Sequence, residues 1–124
     1  MARTFSYDEA SALLPEVQRI AGEIIEVRAD LAELTAALRA GEDSALGGLP
    51  EVKALEASLH ELLGWFAERG IEVKGAAPLV IDFPATLLGA PALLCWLEGE
   101  AEIGWYHRPE AGFLGRRRLP GRAP

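Results

Sequence analysis

Eight aliphatic residues in the first third of the chain follow the spacing of a coiled-coil seam. They are Leu13, Val17, Ile20, Ile24, Val27, Leu31, Leu34 and Leu38, alternately four and three residues apart. This seven-residue repeat puts one continuous apolar stripe on a helix. The pattern therefore predicts a single long helix over about residues 6–39. At 1.5 Å per residue such a helix is about 50 Å long, which is long for a chain of 124 residues.

The start of this helix carries a capping signal and a proline. Ser6 and Glu9 have the spacing of a capping box, in which each side chain accepts a hydrogen bond from the backbone N–H of the other residue. Pro15 has no N–H group and clashes with the carbonyl four residues before it, which predicts a kink near residues 11–14. The alternative is a short N-terminal helix followed by a new helix that starts near Pro15.

A second helix is predicted over about residues 51–69. A glycine-rich segment ending at Pro50 precedes it, and Gly70 suits its C-terminal end. Two such helices form an antiparallel hairpin. Because the first helix is much longer than the second, the rest of its apolar stripe needs a cover, which is either the sheet or a second copy of the chain. Of these two covers we favour the second copy of the chain, and we predict a homodimer. Its predicted interface residues are Val27, Leu31, Leu34, Leu38 and Trp65.

The second half of the chain has the composition of β-strands. Residues 79–83 form a short β-prone run that we expect to end at Pro84. Residues 92–97 and 101–107 flank Glu98-Gly99-Glu100, which is the spacing of a β-hairpin with a tight turn.

These patterns predict an α+β fold in which a long, coiled-coil-like helical hairpin packs on a small antiparallel sheet. The sheet is expected over about residues 72–108, within a single domain over residues 5–116. Residues 117–124 contain three arginines and no acidic residue, so we expect a basic flexible tail there.

Charge and cysteine content exclude several classes of protein. The formal net charge of −7 disfavours a general nucleic-acid binder, because phosphate binding needs clustered cations. A single cysteine, Cys95, excludes an internal disulfide and every zinc motif that needs several cysteines.

No apolar run approaches the roughly 20 residues of a spanning helix, and the N-terminus lacks the apolar core of a signal peptide. We therefore expect a cytoplasmic protein that does not bind membranes.

A series of short motifs extends along nearly the whole chain. They are Glu9-Ala10, Leu13-Leu14-Pro15, Gly70-Ile71-Glu72-Val73-Lys74, Leu79-Val80-Ile81-Asp82-Phe83-Pro84, Leu94-Cys95-Trp96, Gly99-Glu100, Ile103, Trp105-Tyr106-His107, Gly112-Phe113 and Gly115-Arg116. In this series the chain resembles DUF2203, a bacterial family of unknown function. The resemblance implies a small stand-alone bacterial protein and brings no established activity with it. It also implies that the polar residues of the second half form one site.

Three residues of the second half have side chains that suit a metal ion. His107, Asp82 and Cys95 supply the imidazole, carboxylate and thiolate ligands that bind zinc or iron. A two-residue turn at Gly99-Glu100 argues against this site, because that register puts His107 and Cys95 on opposite faces of the hairpin. The alternative is a structural His107 that hydrogen-bonds a carboxylate such as Asp82 or Glu110.

Three functions from different classes follow from these observations. The first is a self-associating structural or interaction module without demonstrated catalysis, since Cys95 has the sequence context of an inert core residue and no catalytic residue can be assigned. The second is a site for a metal or small ligand at Asp82, Glu100, His107 and Arg116, which requires these side chains to converge. The third is a nucleic-acid-associated factor that uses the arginine tail. It is the least favoured of the three, because the acidic body of the protein would repel a polyanion.

Overall fold

The computed structural model of the chain describes residues 3–121 and contains two helices followed by a five-stranded sheet. The elements are α1 (Tyr7–Arg39), α2 (Leu49–Glu68), β1 (Glu72–Ala76), β2 (Leu79–Leu87), β3 (Ala90–Leu97), β4 (Trp105–His107) and β5 (Arg117–Arg118). The strands lie in chain order, and each is antiparallel to its neighbour. The predicted α+β class is therefore confirmed. Coiled-coil packing of the two helices stays a prediction.

The chain divides into two compact units. One unit comprises residues 18–65, which are most of α1 and α2, and the other comprises the residues up to Val17 and those from Phe66 onward, which include the whole sheet. In the helical unit the stripe residues Ile20, Ile24 and Leu34 are buried.

The start of α1 has the predicted capping box. The Ser6 N–H donates to Oε1 of Glu9 at 2.8 Å, and the Glu9 N–H donates to Oγ of Ser6 at 3.0 Å. The helix then continues without a break across Pro15, so the alternative of two separate helices is wrong. Leu14 and Val17 on either side of the proline are buried, and this burial outweighs the one backbone hydrogen bond that the proline removes.

Strand β2 does not end at Pro84, as the sequence predicted, but runs on to Leu87. The Pro84 carbonyl accepts a hydrogen bond from the Phe5 N–H at 2.7 Å, so the N and C=O of Pro84 face away from β3. The neighbouring strand on that side, β1, ends its pairing at Glu72 opposite Asp82. Proline is tolerated here because no adjacent strand requires its missing N–H.

The connection between β3 and β4 is longer than the predicted two-residue turn, and the register differs by one residue. Cys95 pairs with Trp105, and Leu93 pairs with His107. Glu100 holds the connection, since its Oε1 accepts from the Leu97 N–H at 2.8 Å and its carbonyl accepts from Nε1 of Trp96 at 3.0 Å. A shift of one residue reverses which side chains share a face, so the predicted opposition of His107 and Cys95 is wrong.

The sheet also extends into the segment predicted to be a tail. Arg117 and Arg118 pair with Tyr106 and Trp105 as strand β5. The following Leu119 is buried, and its N–H donates to the Gly104 carbonyl at 2.9 Å. The predicted boundary at residue 117 therefore lies inside the sheet. The end of the predicted tail, residues 122–124, lies outside the described residues.

Candidate metal centre

Three neighbouring strands bring Asp82, Cys95 and His107 to one face of the sheet. Asp82 on β2 is directly opposite Cys95 on β3, and His107 lies two residues beyond Trp105, the partner of Cys95 on β4. Side chains of directly paired residues share a face. The exposed fractions are 0% for Asp82, 0% for Cys95 and 2% for His107. One ligand atom from each of the three lies within 4.8 Å of the other two.

The two ring nitrogens of His107 have different partners. Nδ1 lies 2.9 Å from the Arg108 carbonyl, and Nε2 lies 2.9 Å from Oδ2 of Asp82. Because a carbonyl oxygen only accepts, Nδ1 carries a hydrogen and donates it. Nε2 is thereby directed at the carboxylate, which is the partner expected in the alternative interpretation of His107. The other carboxylate oxygen, Oδ1 of Asp82, is buried and has no hydrogen-bond partner among residues 3–121.

The Cys95 thiol is the third member of this buried group. Burial raises the pKa of Cys95 to about 12, and the nearby negative charge of Asp82 adds to the increase, while Arg116 acts in the opposite direction. The thiol is therefore protonated at neutral pH when no metal is bound. Its sulfur lies 3.9 Å from Nη1 of Arg116.

Arg116 and Glu100 form a bidentate ion pair beside the Cys95 thiol. Nη2 of Arg116 donates to Oε2 of Glu100 at 2.7 Å, and Nη1 donates to Oε1 at 3.2 Å. The guanidinium carbon lies 4.5 Å from the ring centre of Trp105 and 4.8 Å from that of Phe113. Both rings therefore hold the cation through cation–π contacts in addition to the ion pair.

The four predicted ligand-binding residues thus form two hydrogen-bonded pairs that meet at Cys95. Asp82 bonds to His107 on one side of the thiol, and Arg116 bonds to Glu100 and contacts the sulfur. Trp105 had no predicted role here, although its position two residues before His107 places both side chains on the same strand face.

Other acidic residues of the second half lie apart from this group. Glu98 accepts a hydrogen bond from the Leu79 N–H at 2.8 Å, near the beginning of β2. Glu102 and Glu110 are exposed to solvent. These residues are therefore not assigned to the candidate metal centre.

The predicted interface residues differ in how far solvent reaches them. Leu34 is fully buried within the single chain, whereas Leu38 is 40% exposed. Val27, Leu31 and Trp65 are half-buried. The homodimer and its interface stay a prediction.

Comparison with known proteins gives one relationship. Searches of curated proteins and of solved structures found no match. Neither helix in the described part of the chain combines the length and the apolar character that a membrane crossing needs. A family model described as "Uncharacterized conserved protein (DUF2203)" matches residues 3–119, which is nearly the whole chain. On this match, the chain belongs to the DUF2203 family.

Proposed function

We propose that this protein binds one divalent transition-metal ion, preferably Zn²⁺, through the Asp82 carboxylate, the Cys95 thiolate and Nε2 of His107. The observation that carries the proposal is the placement of all three ligand atoms within 4.8 Å of one another on a buried face. Carboxylate, thiolate and imidazole are all zinc ligands, and thiolate favours zinc over the hard ions magnesium and calcium. Fe²⁺ is the second choice, because the same ligands bind it more weakly.

The hydrogen bonds around the three residues support this assignment. In metal sites the ligating histidine almost always donates its other ring N–H to a carbonyl or carboxylate, as Nδ1 of His107 does toward Arg108. The unpartnered Oδ1 of Asp82 is a second argument, since a buried oxygen without a partner is costly and a bound cation would remove that cost.

Distances and charges are also compatible with a divalent ion. Neighbouring ligand atoms around tetrahedral zinc are about 3.4 Å apart, so the contact between Nε2 of His107 and Oδ2 of Asp82, now 2.9 Å, would open slightly. A doubly charged ion with one thiolate, one carboxylate and a neutral imidazole makes a centre of zero formal charge. A neutral centre is suited to a buried position, because an uncompensated buried charge is strongly destabilising.

Three protein ligands leave one tetrahedral position for water or another small ligand. That ligand number is typical of zinc sites that are open to exchange, whereas closed structural sites have four protein ligands. No reaction is assigned to the centre.

Native mass spectrometry tests the proposal. The protein is measured as purified, after chelator treatment, and after addition of Zn²⁺ to the metal-free form. We expect one zinc per chain in the reloaded wild type, and its loss in Cys95→Ala. His60→Ala is the matched control, since it removes the other histidine from an exposed position on α2 and should leave zinc binding unchanged.

Substitution with Co²⁺ gives a second readout. Thiolate bound to Co²⁺ produces a charge-transfer absorption band that Cys95→Ala cannot produce. A wild-type protein that takes up neither zinc in one-to-one ratio nor cobalt with this band would overturn the proposal.

A further inference from the structure

We propose that Arg116, held in place by Glu100, is the gate through which metal ions and thiol reagents reach the buried Cys95. This inference rests on the proposed metal centre where it concerns ions. For thiol reagents it stands without any metal, because the contact between Arg116 and the thiol is present in the chain itself.

Arg116 connects the buried group to solvent. Its Nη1 is 3.9 Å from the Cys95 sulfur, which belongs to a fully buried residue. The side chains of Arg116 and Glu100 are 15% and 21% exposed. A displacement of the guanidinium therefore opens one side of the thiol while the strand pairing of β2, β3 and β4 stays intact.

The contacts that hold Arg116 are ones that can open locally. Arg116 follows a short 3-10 turn, Phe113–Gly115, which begins after Gly112 in a left-handed conformation with φ of 66°. Within that turn Leu114 is almost fully exposed, and Phe113 is partly exposed. The guanidinium is thus fixed by the Glu100 pair and two aromatic rings on a surface segment, and such segments open more readily than the core.

The charges of Arg116 and Glu100 balance each other beside the thiol. A free guanidinium beside the thiol would repel a divalent ion, but the carboxylate of Glu100 neutralises it at 2.7 Å. The pair therefore covers the thiol without placing a net charge over it.

Arg118 provides a closely matched control. Its guanidinium carbon lies 4.8 Å from the centre of the same Trp105 ring that Arg116 contacts. Arg118 lies on β5, two residues after Arg116, and it makes no hydrogen bond to the thiol. Arg118→Met thus removes a cation from the same ring and leaves the cover of Cys95 in place.

The first experiment measures the alkylation of Cys95 by iodoacetamide in the metal-free protein, followed by intact mass. We expect Arg116→Met to raise the rate about tenfold, as the loss of a charged hydrogen-bond pair implies, and Arg118→Met to leave it unchanged. Removing Arg116 also removes a cation that favours the reactive thiolate, which would slow the reaction. A faster rate therefore reports access to the thiol and not its activation.

Urea separates a local opening from general unfolding. In Arg116→Met the thiol becomes accessible through a local change that exposes little additional surface. The alkylation rate of this variant should therefore not depend on low urea concentrations. An alkylation rate that rises steeply with urea would show that the variant reacts by global unfolding. This result would overturn the proposal that Arg116 controls access to Cys95.

The second experiment measures the transfer of Co²⁺ from the loaded protein to excess EDTA. We expect faster transfer from Arg116→Met and no change in Arg118→Met, with Arg116→Lys between Arg116→Met and the wild type. Equal rates for Arg116→Met and Arg118→Met in both experiments would overturn the proposal that Arg116 is a gate, but would not contradict the proposed metal centre. Faster alkylation in a protein that binds no cobalt would support the gate and overturn the proposed metal function.

Discussion

Nε2 of His107 and Oδ2 of Asp82 lie 2.9 Å apart in a part of the sheet that solvent does not reach. Since Nδ1 of His107 donates to the Arg108 carbonyl, the contact with Asp82 contains one shared proton. The proton either belongs to the imidazole and is donated to the carboxylate, or belongs to the acid and is donated to Nε2. In both cases the metal-free pair holds one proton that a metal ion would displace.

We therefore expect Zn²⁺ uptake to release two protons, one from this pair and one from the Cys95 thiol. Metal ligands must lose their protons before they coordinate, and burial raises the pKa of Cys95 to about 12, so the thiol is protonated before binding. Isothermal titration calorimetry at neutral pH, in two buffers with different ionisation enthalpies, gives the number of protons released. A binding enthalpy that is the same in both buffers would contradict this prediction.

Asp82→Asn and Asp82→Ala should separate the structural role of Asp82 from metal binding. An asparagine amide can donate to Nε2 of His107 and keep the buried hydrogen bond, whereas alanine leaves Nε2 without a partner. We expect Asp82→Ala to lose about 3–5 kcal/mol of unfolding free energy and Asp82→Asn to lose much less. Both variants should lose stoichiometric zinc. Urea unfolding in the presence of a chelator measures the first effect, and equal destabilisation of the two variants would contradict it.

The residues of this site could be selected from the sequence, but their arrangement could not. The Ser6–Glu9 box and the apolar stripe depend on neighbours within one turn of helix, and such local patterns predict helices well. The side of the sheet that Cys95 occupies depends on the register of β3 and β4. Glu100 sets that register by turning back to the backbone N–H of Leu97, a contact that no periodicity indicates. The extension of β2 past Pro84 depends on Phe5, far away along the chain.

The capping box predicts how acid affects the start of α1. Hydrogen bonds from the Ser6 backbone and side chain lower the pKa of Glu9 below its ordinary value. A carboxyl with a lowered pKa stabilises the folded state above its unfolded pKa, and this contribution disappears as the pH falls through its folded pKa. We expect the wild type to be more stable than Glu9→Gln at neutral pH. The difference in stability should begin to narrow at about pH 4 and then vanish as the pH falls further. Thermal unfolding of both proteins across this range measures it, and a difference that does not change with pH would contradict the prediction.

The predicted dimer is best tested at Leu38. Leu34 is fully buried in the single chain, so a charge there would unfold the protein whether or not it dimerises. Leu38 is 40% exposed, and Leu38→Glu should leave the chain folded. If the apolar stripe of α1 forms the interface, native mass spectrometry should find a dimer for the wild type and a folded monomer for Leu38→Glu. Leu114→Glu is the control, because Leu114 is 97% exposed on the turn before Arg116 and outside the predicted interface. A dimer that persists in Leu38→Glu would place the interface elsewhere, and a monomeric wild type would show that the predicted self-association is wrong.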